Sequence, residues 1–298
     1  MAFKNVALTG ASGSVGAIIL EKLLAAGTFN VTVLRRAGSK STFPAGVTVV
    51  DADFDSVSSL AAALKGQEVL VSAVTMTALL AQKTLVDASV AAGVRRFIPS
   101  EYGCDVFHPK AKALPVFAHK VEVEEYIFEK SRESGLEYTF VFNNCFLDWG
   151  LQHDFILRIS DYKPVIYDDG ETVFSSTNVS TVADGIVGIL NHPEETKNRP
   201  VYIKDVDTTQ NQLLALAKKA APEKPWAPVH VKLDDVTAAA DARLAQGLLD
   251  LETFAPYIFR SVFDASYGGR FEKTDNELLG IKGKTEEELF EIVKAAVK

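Results

Sequence analysis

The chain has 298 residues, 31 basic and 39 acidic, for a formal net charge of -8, with 47% hydrophobic and 23% charged residues. At about 150 residues per domain this length suits two domains or one large α/β unit, and the balance excludes intrinsic disorder, collagen-like and coiled-coil architectures. The acidic excess repels phosphate backbones and argues against a nucleic-acid partner, while two cysteines, Cys104 and Cys145, suit a reducing compartment and exclude a disulfide scaffold.

Val6-Ala7-Leu8 reads as a buried strand that begins almost at Met1, leaving no room for a signal peptide. No run of about 18 apolar residues occurs, so no membrane span is expected and the expected location is cytoplasmic. A helical pattern follows, with apolar residues at Val15, Ile18, Ile19, Leu23 and Leu24, stopping at Gly27. Further strands are expected at Val31–Leu34, Val47–Val50, Glu68–Ser72, Arg96–Pro99 and Glu137–Phe142. Helices are expected at Leu79–Ala92 and from about Ala113 to Ser134. Strand and helix alternating in this way predict βαβ units and a doubly wound, Rossmann-type parallel sheet.

After about Asn143 the rhythm changes. Helices are expected at Thr181–Leu190, Gln210–Ala220, Leu233–Leu249 and Glu286–Val297, mixed with short strands at Val165–Tyr167 and Val201–Lys204. The expected division is therefore an α/β nucleotide-binding domain over 1–155 and a smaller mixed substrate lobe over 156–298, with later segments free to rejoin the first sheet. Interleaved aromatics from Phe146 and Trp149 to Tyr267 suit core packing, and some suit a pocket for a flat ligand.

Between the first strand and first helix lies Gly10-Ala11-Ser12-Gly13-Ser14-Val15-Gly16, a G-x-x-G-x-x-G loop. Gly10 permits the tight turn, Gly13 lets backbone approach a diphosphate, and Gly16 lets helix pack on strand. The amides of Ser12, Ser14 and Val15, with the positive end of the helix dipole, face the phosphates. Glycine turns also arise for steric reasons alone, but this one follows a strand, opens a helix and lies in a βαβ unit.

A site for NAD usually places an acid on the next strand, about 20 residues on, to hold the ribose 2′-hydroxyl. Here Leu34-Arg35-Arg36-Ala37-Gly38-Ser39-Lys40 carries none. Arg35, Arg36 and Lys40 suit a 2′-phosphate instead, so NADP(H) is the expected cofactor; a solvated basic loop is the other reading. Asp53 and Phe54, closing the third strand, either address the adenine or form a solvated acidic turn. Ser72, Ala73, Val74 and Gln82 sit at the carboxyl edge of the sheet, where the cofactor passes. Ser100 either bonds substrate or nicotinamide or caps a turn.

Three segments resemble the NmrA-like and isoflavone-reductase-like group of atypical short-chain dehydrogenases. They are Arg96-Phe97-Ile98-Pro99-Ser100-Glu101-Tyr102-Gly103, Phe117-Ala118-His119-Lys120 followed by Glu124, and Asn144-Cys145-Phe146. The match is good over the first half and only rhythmic in the second. It implies an NADPH-dependent reductase of a small hydrophobic, aromatic, phenolic or polyketide-type substrate, or a relative that binds NADP and signals through a protein partner. It also implies that Lys120 lies near the nicotinamide as acid/base, with Asn144 and Phe146 at the cofactor and Tyr102, Phe146 and Trp149 toward the substrate. By position alone Lys120 reads as a solvated helix lysine.

Tyr126 and Lys130 fit the Y-x-x-x-K pair of ordinary short-chain dehydrogenases. Lys130 stands about 15 Å along the helix from Lys120, too far to serve the same ring, so packing or surface roles are expected. The five histidines show no metal-ligand spacing, and no metal is expected. Cys145 reads as a small buried hydrophobe. A homodimer is left open.

Overall fold

The computed structural model describes residues 2–297. In the first half, strands β1 (Asn5–Thr9), β2 (Asn30–Arg36), β3 (Thr48–Ala52), β4 (Val69–Ser72), β5 (Arg96–Ile98) and β6 (Glu137–Phe142) alternate with helices α1 (Ser14–Ala26), α2 (Val57–Ala63), α3 (Gln82–Ala92), α4 (Pro109–Lys112) and α5 (Ala118–Ser134). Each strand lies where it is expected, to within about two residues at either end. Val6, Ala7 and Leu8 of β1 and Val69, Leu70 and Val71 of β4 are all fully buried, the continuous apolar run of strands covered on both faces.

The second half holds β7 (Cys145–Phe146), α6 (Leu147–Gln152), β8 (Val165–Tyr167), β9 (Phe174–Thr177), α7 (Val179–Asn191), β10 (Arg199–Tyr202), β11 (Val206–Thr208), α8 (Gln210–Ala220), β12 (Val229–Val231), α9 (Leu233–Ala245), α10 (Leu251–Phe263) and α11 (Glu286–Ala296). The main sheet runs β3-β2-β1-β4-β5-β6-β10 and every neighbour is parallel. β10 thus returns to the first sheet, and α7 packs beside α1 on one of its faces while α3 packs on α2 and α5. A three-stranded sheet, β11-β9-β7, and a parallel pair, β12-β8, form the smaller part. One apolar core lies between the sheet and α1 with α7. The other runs under α2, α3 and α5 and on into the C-terminal helices. No helix among the described residues is long and apolar enough to cross a membrane.

Three helices differ from expectation. The one expected from Leu79 begins at Gln82, after a 3-10 turn over Met76–Ala81. The stretch from Ala113 to Ser134 is broken at Pro115, whose ring holds Leu114 in extended backbone (φ -74°, ψ 133°) so that a 3-10 turn over Pro115–Phe117 precedes α5. The helix expected to reach Leu249 stops at Ala245, four residues earlier, because Gly247 takes positive φ and Asp250 begins a new helix by accepting the Thr253 amide. The result is an α9–α10 hairpin whose tip leaves Leu249 71% exposed.

Candidate active site

The strand order reverses between β1 and β4, and a sheet of this kind binds ligands at the carboxyl ends beside such a point. The glycine loop sits there. Gly10 (φ +76°) turns the chain so tightly against β4 that a Cβ on it would lie 2.1 Å from the Ala73 carbonyl oxygen. A Cβ on Gly16 would lie 2.1 Å from the Gly10 carbonyl, so Gly16 packs the first turn of α1 onto the loop. Gly13 caps α1 in extended backbone without a side chain, and no acid stands in the first turn. The amides there are left for an anion to satisfy.

Beside this loop opens a cavity of about 340 Å³. Of the residues singled out in the sequence, Gly13, Ser14, Val15, Ala73, Val74, Ser100, Tyr102, Lys120, Asn144, Phe146 and Trp149 line it. Thr75, Met76, Leu79, Glu101, Gly103, Cys104, Phe117, Cys145, Phe155, Val179, Leu251 and Ile258 line it too. Phe155 is one of the interleaved aromatics offered for a pocket; the sequence reading assigned no other of these to the site, although the R-F-I-P-S-E-Y-G segment runs into Gly103 and Leu251 and Ile258 share a helical face. The walls are mostly apolar, as a site for a hydrophobic ligand requires.

Lys120 stands in the first turn of α5 and is 9% exposed. Its Nζ donates to the backbone carbonyl of Glu101 and lies 3.4 Å from Glu101 Oε2. This is a buried ammonium held from behind, with its cavity side open, rather than a solvated helix lysine. Glu101 itself is buried, and burial pushes its carboxyl up against the opposing pull of Lys120. Glu124, one turn further along α5, is also buried, and burial followed by the charge of Glu101 pushes its carboxyl up to about 9. Both acids stand in the segments quoted for the resemblance, but neither was assigned a role there. Tyr102 adopts a φ of +32° and its buried phenol is raised by burial and then by Glu101.

Several expected contacts take a structural form. Gln82 is fully buried and accepts the Ser100 amide at 2.8 Å, while the Ser100 hydroxyl donates to the Val74 carbonyl at 2.8 Å. These two residues brace the carboxyl ends of β4 and β5, and Ser100 reaches the cavity only as wall. Asn144 (φ +52°) donates to the carbonyls of Ser175 and Gly269, tying the main sheet to the smaller part. Ser72 is buried below the cavity. Cys145 is buried and its thiol is pushed up to about 12 by burial, as a packing residue should be. The Tyr126 hydroxyl donates to Asp87 at 2.6 Å and Lys130 pairs with Asp87 and Glu133, so this pair works outside the cavity, on the α3–α5 surface.

At the end of β2 the cations separate. Arg35 forms a two-pronged bond to Asp51 (2.7 and 3.0 Å) and donates to the Ser41 carbonyl. Arg36 is exposed, makes no ion pair among the described residues, and lies with its guanidinium carbon 5.8 Å from the centroid of the Phe54 ring. Lys40 is exposed nearby, and Asp53 holds its own turn by accepting the Asp55 amide.

These features fit NADP(H). The glycine loop leaves a cradle that Cβ atoms would fill, the α1 amides are uncapped, and Arg36 with Phe54 offers a free cation and a ring at the far end of β2. Buried Ser72 Oγ, Gln82 Nε2 and Asn144 Oδ1 have no hydrogen-bond partner among the described residues.

Comparison with known proteins agrees. The chain is 36% identical over 294 residues to the oxidoreductase aprR of Aspergillus flavus, covering 96% of this chain and 97% of that protein. It is 28% identical over 293 residues to the oxidoreductase poxI of Penicillium oxalicum, covering 94% and 90%. Among solved structures, AtPrR2 with NADP+ and (+)pinoresinol superposes with a TM-score of 0.80 at 23% identity, covering 100% of this chain and 99% of that one. The leucoanthocyanidin reductase–NADPH complex of Vitis vinifera also gives 0.80, at 22% identity, covering 98% and 99%. The model of the NmrA-like family matches residues 3–238, and the chain belongs to that family.

Proposed function

We propose that the protein reduces a small hydrophobic metabolite, aromatic, phenolic or polyketide-type, with Lys120 as the group that protonates or steadies the developing oxygen anion. Its relatives are named as oxidoreductases, and neighbours of the same fold were solved as NADP+ and NADPH complexes, which supports NADPH as the reductant. The observation that carries the finer reading is the meeting of one buried ammonium with the uncapped end of α1 in a single apolar cavity.

NADPH, when bound, supplies the hydride. The amides of Ser14 and Val15 hold the diphosphate by dipole and hydrogen bond, while the Gly13 amide closes the turn onto the Gly10 carbonyl. Arg36, with no carboxylate partner among the described residues, is the group suited to meet a 2′-phosphate. Phe117, Phe146, Trp149 and Phe155 exclude water and give the acceptor an apolar bed, so the Lys120 charge acts in a medium where it is worth more than in water. A regulator that only senses NADP has no need of an ammonium held against a substrate-sized cavity, which favours the catalytic reading.

NADPH oxidation measured across phenylpropanoid, quinone and polyketide-type acceptors tests it. Lys120→Met is expected to lower kcat by roughly 100-fold or more on any acceptor that wild type reduces, with NADPH affinity unchanged. A variant as fast as wild type overturns the role given to Lys120.

A further inference from the structure

Behind Lys120 the chain buries two carboxylic acids that hydride chemistry does not require. Glu101, in the loop after β5, is 3% exposed, and Glu124, four residues along α5 from Lys120, is 1% exposed. Lys120 Nζ is bound to the Glu101 carbonyl and lies 3.4 Å from its Oε2. Glu101 Oε1 and Glu124 Oε1 are buried with no hydrogen-bond partner among the described residues. One ammonium at the cavity wall thus stands against one buried acid, Glu101, with a second, Glu124, one turn along its own helix. Were both ionised, one negative charge would be buried without a counter-ion, which proteins avoid by keeping a proton.

We propose that Glu101 and Glu124 together retain one proton, so that with Lys120 they are electrically neutral, and that loss of this proton slows turnover. The proposal rests on Lys120 being the acid of the reaction. Glu101, nearest the ammonium, is the ionised member and Glu124 the neutral one. Both act through Lys120 and are positioning residues.

The surroundings point the same way. Burial is the largest influence on both acids; for Glu124 the next is the negative charge of Glu101, and Lys120 opposes both. Lys112 on α4 pulls Glu124 down and Asp105, in the loop before α4, pushes it up. On β10, the Tyr202 phenol donates to Asp105 at 3.2 Å and feels the charge of Glu124. The one lysine facing Glu124 besides Lys120 is bound to Glu125 at 3.1 Å and half in solvent, so it does not replace the missing counter-ion.

The sign follows. A carboxyl raised to about 9 is protonated through the neutral range and ionises above it. Its new negative charge near Lys120 opposes the negative charge that develops on the substrate oxygen, so kcat falls as pH rises. The pair titrates as a unit, and the observed value belongs to both acids.

Two readouts on the full-length protein test this. In wild type labelled with 13C at the glutamate carboxyls, one carbon is expected to titrate in the alkaline range, and this signal is absent from Glu124→Gln. The rate of NADPH oxidation, on the acceptor that wild type reduces fastest, is expected to step down severalfold to a lower plateau as this acid ionises. In Glu124→Gln, which is permanently neutral at that position, this alkaline fall disappears. Glutamate carbons that all titrate below pH 6 in wild type overturn the proposal without any variant. An unchanged alkaline limb in Glu124→Gln overturns it as well, and if Lys120→Met is then inactive the lysine reading survives alone. A fully active Lys120→Met overturns the lysine reading and the rate effect proposed here, whatever the carboxyl signals show.

Discussion

A methyl group on Gly10 would lie 2.1 Å from the carbonyl oxygen of Ala73, in a backbone conformation (φ +76°) that L residues rarely adopt. The clash is with backbone of the neighbouring strand, so no side chain can turn aside to relieve it. Gly10→Ala is expected to destabilise the protein by roughly 2 to 4 kcal/mol in urea unfolding and to remove NADPH binding. Unfolding within about 0.5 kcal/mol of wild type would show that the loop has room to relax. This glycine was legible in the sequence because the constraint is local: a strand, a turn and a helix within a few residues. Glu124 was not legible as part of a site. An acid four residues after a lysine on a helix ordinarily reads as a solvated ion pair. Only the loop after β5, brought against α5 by the sheet, removes the water and turns the pair into a buried cluster with Glu101.

At the scale of the element, β2 shows why a run of basic residues is a poor guide to which one binds. Successive residues of a strand point to opposite faces, so Arg35 and Arg36 cannot share one phosphate by default. The parallel register sets Arg35 opposite Asp51 of β3, and the two-pronged bond raises the guanidinium and lowers the carboxyl. That register is a tertiary fact absent from the sequence. Arg36 is left free over Phe54. Arg36→Ala is therefore expected to weaken NADPH binding by about 10- to 100-fold while leaving NADH binding nearly unchanged. Arg35→Ala should shift both nucleotides alike and less. Isothermal titration of each variant with each nucleotide decides it, and an Arg35 effect confined to NADPH would reverse the assignment. The α5 helix carries a parallel lesson: its Y-x-x-x-K spacing is real, yet Tyr126 and Lys130 face Asp87 on α3 rather than the cavity.

Over the whole molecule, the cavity is a joint product of both halves of the chain. The sheet edge supplies the glycine loop, Ala73 to Met76 and Ser100 to Cys104, while Trp149, Phe155, Leu251 and Ile258 close the other side. The N-terminal share could be read from motifs because phosphate binding forces glycine and helix into fixed spacing. The C-terminal share could not, because an apolar wall needs only bulk and tolerates many residues, and the break between α9 and α10 that swings Leu251 into place depends on one glycine and one cap. The return of β10 to the main sheet likewise joins residues near 200 to the nucleotide-binding layer. The central claim is that one cavity brings the reactive ring of NADP(H) to Lys120. A crystal structure of the protein soaked with NADP+ tests it most directly. The diphosphate is predicted on the amides of Ser14 and Val15, with the nicotinamide in the cavity beside Lys120. A nucleotide lying elsewhere, or a ring turned out to solvent away from that amine, would contradict the account.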